Sequence, residues 1–352
     1  MNPLNADPRR ILIVRPSALG DVARSVPTLV SLKRAFPEAQ IDWLVRLGFE
    51  DAIRHHPDLH EPILFDRRHW WRSFAMMDRL RRRRYDRVYD FQGLARSGAF
   101  TLATFAPYRV GMKQSRELAR MGYNVVHDVG RFTHVVDRMI GLLEADGITP
   151  QRDMRLYTGS ADRAWAKRIF DDHTIGDQPY AVIAPTAGWA SKRWPIERFT
   201  EIAHDLSRFD IRHIIVVGAR NELEQARPLI ESTGGPRVVN LVGATTVGQL
   251  MAIIERCTLA ICNDSAALHM AVGFARRAIG LYGLTDPQRD GPYRYDLAVV
   301  KAPITETIRH KQSHIGPQYI ARITVDDVHA ALDRVIAAPP PLAVHPASAA
   351  HD

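Results

Sequence analysis

Residues 11–27 read ILIVRPSALGDVARSVP. The first four, Ile11 to Val14, form an apolar, largely β-branched run of strand length. A small turn follows (Ser17, Ala18, Leu19, Gly20), and a helical pattern opens at Asp21. Strand, tight loop and helix start, in that order, aim backbone N–H groups and a positive helix end at an anion. Asp21 is out of place against a phosphate, which it would repel. It either caps its helix, as first-turn acids do, or has a separate purpose.

Working outward, the same rhythm continues through the first half. Strands are expected at 11–14, 41–45, 63–65 and 87–91, with a short one near 109–111. Helices are expected at 21–34, 49–55, 70–82, 95–105, 114–121 and 134–145. Alternation of this kind predicts an α/β fold with a parallel sheet covered on both faces. The stretch 147–179 is polar and turn-rich, with one amphipathic helix near 162–170, and reads as a junction. Beyond it, strands at 180–185, 213–218, 238–240, 259–262 and 278–282 alternate with helices to make a second doubly wound sheet. The expected organisation is a Rossmann-like domain over 1–155, a linker over 156–178, and a second Rossmann-like domain over 179–338. The last helix of that domain is placed to pack back on the first domain, and a Pro- and Ala-rich tail, 339–352, is expected to be disordered.

Composition bounds the classes. A chain of 352 residues exceeds one ordinary core and suggests two domains. It is 46% hydrophobic and 24% charged, as soluble globular proteins are. No stretch approaches the ~20 apolar residues of a membrane span. The opening MNPLNADPRR lacks the apolar core of a secretory signal, so a cytoplasmic location is expected. Cys257 and Cys262 are not at metal-ligand spacing and read as buried, reduced thiols. Charge is lopsided: residues 1–150 hold 24 Lys and Arg against 17 Asp and Glu, and the rest hold 23 against 22. A basic first half suits an anionic partner: nucleic acid, a membrane surface or an acidic substrate. The run Arg81 to Arg84 reads more simply, as cations complementing a helix carboxyl end.

Ligands of open α/β sheets sit at the carboxyl ends of the strands. Four polar clusters fall there. The first is Ser17 to Asp21. The second, PTAGWASKRWP (185–195), offers Thr186, Gly188, Ser191 and Lys192 ahead of a Pro-initiated helix, a suitable diphosphate seat. The third, GARNE (218–222), ends in Glu222, which is either a ribose-binding acid or a first-turn helix acid. The fourth, CNDSAALHMA (262–271), holds Asp264, Ser265 and His269, with Asp264 suited to capping. There is no GxGxxG after the first strand, no GxxxxGK[ST], no GxSxG elbow and no convincing metal cage, so nicotinamide, flavin, P-loop, serine-hydrolase and metal chemistry have weak support.

These residues resemble glycosyltransferase family 9. The likeness rests on ILIVRPSALGDVARSVP, IDWLV, YDRVYDFQGLARSG, SRELARMGYN, THVVDR, SKRWP, GARNE, CNDSAALHMAV and GLTDP, which together span nearly the whole chain. Within the family, DFQGLARSG and GYN with THVVDR point to the heptosyltransferase that acts first on lipopolysaccharide. The resemblance implies a GT-B fold, two Rossmann-like domains facing across a cleft. It implies inverting transfer of L-glycero-D-manno-heptose from ADP-heptose, a substrate, to Kdo of Kdo–lipid A, without metal or cofactor. It places the chain peripherally on the cytoplasmic face of the inner membrane, with no nucleic acid or obligate protein partner.

Matched by motif, the resemblance makes Asp21 the general base and Lys192 the cation on the diphosphate. Glu222 would hold the ribose and Asp264 the heptose hydroxyls, with His269 nearby. Ser17, Gly20, Thr186, Gly188, Ser191 and Ser265 complete the expected donor set. Relatives place further hydroxyls where this chain has Ala187 and Gly188, so backbone amides, Thr186 or Ser191 would serve instead. On the acceptor side Arg67, Arg68, Arg72, Arg116 and Arg120 are candidates for carboxylate and phosphates. Trp70 and Trp71 either rest at a membrane interface or bury into the first domain. Two other readings stand beside this one: a family 9 enzyme with a different nucleotide-sugar donor, and a non-enzymatic basic nucleotide- or RNA-binding protein.

Overall fold

The computed structural model describes residues 7–66, 72–130, 134–232, 234–304 and 316–345. The chain divides into two compact units, Met1–Tyr157 with Val344–Asp352, and Thr158–Ala343.

The first unit is built on β1 (Arg10–Val14), β2 (Gln40–Arg46), β3 (Glu61–Phe65), β4 (Arg87–Asp90), β5 (Tyr108–Met112) and β6 (Val125–His127). All pair in parallel in the order β3-β2-β1-β4-β5-β6. Ile11 to Val14 are 0% exposed, which requires cover on both faces. Helices α3 (Arg72–Arg82) and α4 (Ala95–Ala103) supply it on one side, where Met76, Leu80 and Phe100 pack against Leu12, Val14, Leu44 and Val88. Helices α2 (Val26–Ala35) and α5 (Val135–Ala145) pack on each other, and His134 Nδ1 caps α5 by accepting from the Val136 amide at 3.1 Å.

Local chemistry explains the departures from expectation. The single helix expected over 21–34 is two, α1 (Leu19–Arg24) and α2, broken at Ser25. Pro27 cannot donate to the carbonyl four residues back, and its ring crowds it. The helix expected at 49–55 is only the 3-10 turn Glu50–Ala52. That expected at 114–121 shrinks to the 3-10 turn Ala119–Gly122, pressed against α4, where a Cβ on Gly98 would meet the Ala119 carbonyl oxygen at 2.5 Å. Edge strand β6, three residues among polar neighbours, has too little pattern to be read in advance.

At the amino ends of β2 and β3 an ion-pair network is built around the buried Asp42. Asp42 accepts from Arg83 Nη1 at 2.9 Å and the Tyr85 hydroxyl at 2.7 Å, and lies 2.8 Å from His60 Nδ1. Arg83 also donates to Glu61 at 2.7 and 3.0 Å. Asp42, His60 and Glu61 have metal-ligand spacing, but this arginine already engages both carboxylates. Asp42→Ala is expected to cost about 1–3 kcal/mol of unfolding free energy, because it strands the Tyr85 hydroxyl and leaves Arg83 with Glu61 alone. Urea denaturation checks this; a loss within error of zero would mean the network is dispensable.

The second unit repeats the topology: β8 (Tyr180–Ala184), β9 (His213–Val216), β10 (Arg237–Asn240), β11 (Leu259–Asn263), β12 (Arg277–Tyr282) and β13 (Val299–Lys301), ordered β10-β9-β8-β11-β12-β13, all parallel. Helices α7 (Ile196–Asp205), α8 (Leu223–Ile230), α9 (Val247–Arg256) and α10 (Ala266–Gly273) follow β8 to β11 in turn. The strand β13 was absent from the sequence reading.

Three expected boundaries change. Most of the expected linker is helix α6 (Ser160–Asp172), which packs on α9 inside the second unit, and the unit boundary falls after Tyr157. The last helix, α11 (Val325–Ala337), packs on β12 and α7 of its own unit. Val344–His345, expected to be disordered, forms β14, antiparallel to β7 (Arg152–Asp153) of the first unit. Residues 346–352 lie outside the described ones. Among the described residues no helix is long and apolar enough to cross a membrane.

Candidate functional site

In the first unit, the chain leaving β1 turns at Ser17, whose amide donates to Gln92 Oε1 at 3.3 Å, and enters α1 through Gly20. Asp21 lies in the first turn. Its Oδ2 accepts from the Ala18 amide at 3.1 Å, so it does cap the helix. It is also gripped by two buried guanidiniums: Arg15 Nη2 stands 3.2 Å from Oδ2, and Arg24 Nη2 2.5 Å from Oδ1. Burial disfavours charge on Asp21 and is the largest single influence on it. Arg15, Arg24 and the Ala18 amide together outweigh burial and hold its pKa well below the usual carboxylate range.

Arg15 is placed in turn by the Phe91 carbonyl, to which Nη1 donates at 2.6 Å. Beyond it lies Asp90, fully enclosed, taking bonds from the Gln92 and Gly93 amides at 2.8 and 3.0 Å and from the Tyr123 hydroxyl at 2.6 Å. Burial pushes the Asp90 carboxyl up. A Cβ on Gly111 would run into the Tyr123 ring at 2.1 Å, so glycine is required beneath that tyrosine. Sequence reading missed both arginines, although the three-residue step from Asp21 to Arg24 is a helical pairing distance.

Of the acceptor candidates, Arg72 donates to Asp66 Oδ2 at 2.5 Å, beside the carboxyl end of β3. The Arg116 amide bonds the Gly93 carbonyl at 2.8 Å, which brings this residue to the carboxyl end of β4. Arg120 lies in the turn Ala119–Gly122, with its side chain exposed. Arg67, Arg68, Trp70 and Trp71 lie outside the described residues.

In the second unit the carboxyl strand ends gather the donor candidates from Thr186 to His269, while Ser17 and Gly20 lie in the first unit. Lys192 Nζ is 2.5 Å from Asp264 Oδ2, joining the loop after β8 to the end of β11. Ser265, not Asp264, is the residue that precedes α10, so the capping role expected of Asp264 gives way to this ion pair. The Thr186 hydroxyl donates to Glu222 Oε2 at 2.6 Å, and the Ala219 amide donates to the same oxygen at 2.8 Å. Glu222 therefore does cap its own turn, and it is buried. A Cβ on Gly218 would meet Thr186 Oγ1 at 2.8 Å, so glycine permits the close approach of these two loops. Gly188 faces open space, Ser191 packs against Gly316, and His269 is buried on α10.

Three supporting residues escaped the sequence reading. Asn263 is fully buried; its Nδ2 donates to the Pro185 carbonyl at 2.6 Å and its Oδ1 accepts from the Trp194 amide at 3.2 Å. Arg193 Nε donates to the Ala187 carbonyl at 2.7 Å, bracing the loop from within. Lys301 reaches the carbonyls of Gly283 and Thr285 at 2.7 and 2.6 Å and so fixes the loop after β12. Burial lowers its pKa.

Comparison with known proteins bears on what this arrangement does. The family model described as glycosyltransferase family 9 (heptosyltransferase) matches residues 73–319. The chain is 27% identical over 308 residues to lipopolysaccharide heptosyltransferase 1 of Escherichia coli K12, covering 84% of this chain and 94% of that protein. It is 22% identical over 306 residues to lipopolysaccharide heptosyltransferase 2 of Salmonella typhimurium, covering 83% and 88%. The solved structure of E. coli heptosyltransferase WaaC with ADP superposes with a TM-score of 0.73 at 25% identity, covering 93% of this chain and 99% of that one.

Proposed function

The chain belongs to glycosyltransferase family 9, the heptosyltransferases, and from that premise we propose that it transfers heptose from ADP-heptose to Kdo of Kdo–lipid A, the first heptose of the lipopolysaccharide core. Membership makes it an enzyme and a glycosyltransferase, so the reading as a non-enzymatic nucleotide- or RNA-binding protein is set aside. Similarity extends to both heptosyltransferase 1 and heptosyltransferase 2, so the acceptor is the part that rests on this proposal.

The observation that carries it is the Lys192–Asp264 pair at the ends of β8 and β11. A nucleotide sugar offers each partner something better: the diphosphate takes the lysine, and sugar hydroxyls take the released carboxylate. Glu222 uses Oε2 for its protein bonds, which leaves Oε1 for a ribose hydroxyl. Thr186, Gly188, Ser191, Ser265 and the start of α10 line the same strand ends, and His269 backs them. Ser17 and Gly20 shape the turn before Asp21. The first unit provides Asp21 for the acceptor hydroxyl and Arg72, Arg116 and Arg120 for its anionic groups.

In the proposed reaction the acceptor oxygen attacks the anomeric carbon on the side opposite ADP. The bond to the diphosphate oxygen breaks, the configuration inverts, and the hydroxyl proton passes to the Asp21 carboxylate. So acidic a group is a weak base. It takes the proton late, once the attacking oxygen has become positive through bond formation. Lys192 balances charge growing on ADP, without metal or cofactor. The work is placed at the cytoplasmic face of the inner membrane, where the lipid acceptor is presented.

Mass spectrometry of the purified protein with ADP-heptose tests this. One heptosyl unit should be added to Kdo–lipid A and none to an acceptor that already bears the first heptose. The opposite preference would assign the later step, and acceptance of a different nucleotide sugar alone would assign another donor.

A further inference from the structure

One surface of the first unit is not used by this chemistry. Residues 72–84 hold six arginines and one acid, Asp78. The run Arg81 to Arg84 does lie at the carboxyl end of α3, as its dipole favours, but four cations exceed what one helix end needs. Arg83 is spent inside, on Asp42 and Glu61. Arg82 pairs with Asp78 at 2.8 Å, which leaves Arg81 and Arg84 to expose their charge.

Large apolar side chains stand exposed among them. Phe74 is 64% exposed and lies seven residues before Arg81, on the same side of α3. Phe105, just past α4, is 66% exposed, and the Arg81 guanidinium stacks 4.9 Å from its ring centroid. The turn Ala119–Gly122 packs against α4, with Met121 72% exposed within it and Leu118 79% exposed just before it. Neighbouring elements of this unit thus expose several large apolar side chains, and Arg81 lies against one of them. Such exposure is costly in water unless the face is covered.

We propose that this face, α3 with the end of α4 and the turn Ala119–Gly122, docks on an anionic lipid surface. Its charge complements acidic headgroups, and its apolar side chains reach the headgroup–acyl boundary. Aliphatic Leu118 and Met121 favour lipid over nucleic acid: they enter hydrocarbon but offer no ring for a base to stack on. The proposal does not rest on which sugar is transferred.

Vesicle co-sedimentation tests it on the full chain. Binding to vesicles rich in phosphatidylglycerol, absent with pure phosphatidylcholine and weakened by salt, is expected. Arg81→Gln with Arg84→Gln should weaken it about 25-fold, or about fivefold per arginine. Phe105→Ser should weaken it while keeping its salt dependence. Thermal unfolding of each variant separates a lost surface from a lost fold. Transfer to a detergent-dispersed acceptor should remain at wild-type rate, so failure to bind vesicles would leave the transfer reading standing. Equal binding to neutral vesicles, wild-type binding by folded variants, or binding to single-stranded RNA in place of vesicles would each overturn the proposal.

Discussion

Asp21→Asn is expected to lower turnover by about 10²- to 10⁴-fold while leaving ADP affinity unchanged. The substitution keeps shape and removes the one group in the first turn of α1 able to accept a proton. It does so far from the Lys192–Asp264 pair in sequence and in a different unit. Steady-state kinetics and calorimetric ADP titration read the two effects separately. Wild-type turnover in the variant would remove Asp21 from the chemistry, and loss of ADP binding would make it a donor residue.

The guanidiniums beside Asp21 add a pH signature. A carboxylate whose pKa is depressed in the folded chain stays ionised above that value and is lost only as pH falls through it. The profile of kcat/KM should therefore show no acid limb from Asp21 near neutrality. Arg24→Gln removes one of the two cations. The folded pKa should rise, and an acid limb should move up with it. A wild-type limb near neutral pH would mean that another group is the base.

Lys192→Ala should weaken ADP-heptose binding and reduce turnover by about 10²- to 10³-fold, because charge on departing ADP loses its balancing cation. The effect on the empty chain is informative too. Asp264 would be left largely buried with only the more distant Lys301 to balance it, so thermal stability should fall. Adding Asp264→Asn should restore stability but not turnover. If the pair of substitutions restored both, Lys192 would serve only to neutralise Asp264.

Apart from the edge strands β6 and β13, the strands of both sheets were legible because continuous apolar runs such as Ile11 to Val14 leave no amphipathic alternative. What the pattern could not convey was tertiary: Pro27 breaking a helix that periodicity joins, and a three-residue edge strand with no apolar run. The polar clusters that follow the strands were legible, since that position is fixed by topology. Their partners were not. Nothing in sequence spacing brings Asn263 to Pro185, Lys301 to Gly283, or Arg15 to both Asp21 and Phe91, because each contact spans different strands or loops. Asp264 shows the same limit: local rules made it a helix cap, and the fold supplied a lysine from another loop.

Asn263 has a consequence for ageing of the protein. Its amide has one permitted orientation, because the nitrogen must face a carbonyl and the oxygen an N–H. Spontaneous deamidation would replace that nitrogen with oxygen. The new carboxylate would confront the Pro185 carbonyl directly beside Asp264. Both stems of the lysine-bearing loop would loosen through a change of a single dalton, so stored enzyme should lose donor affinity before it loses its fold.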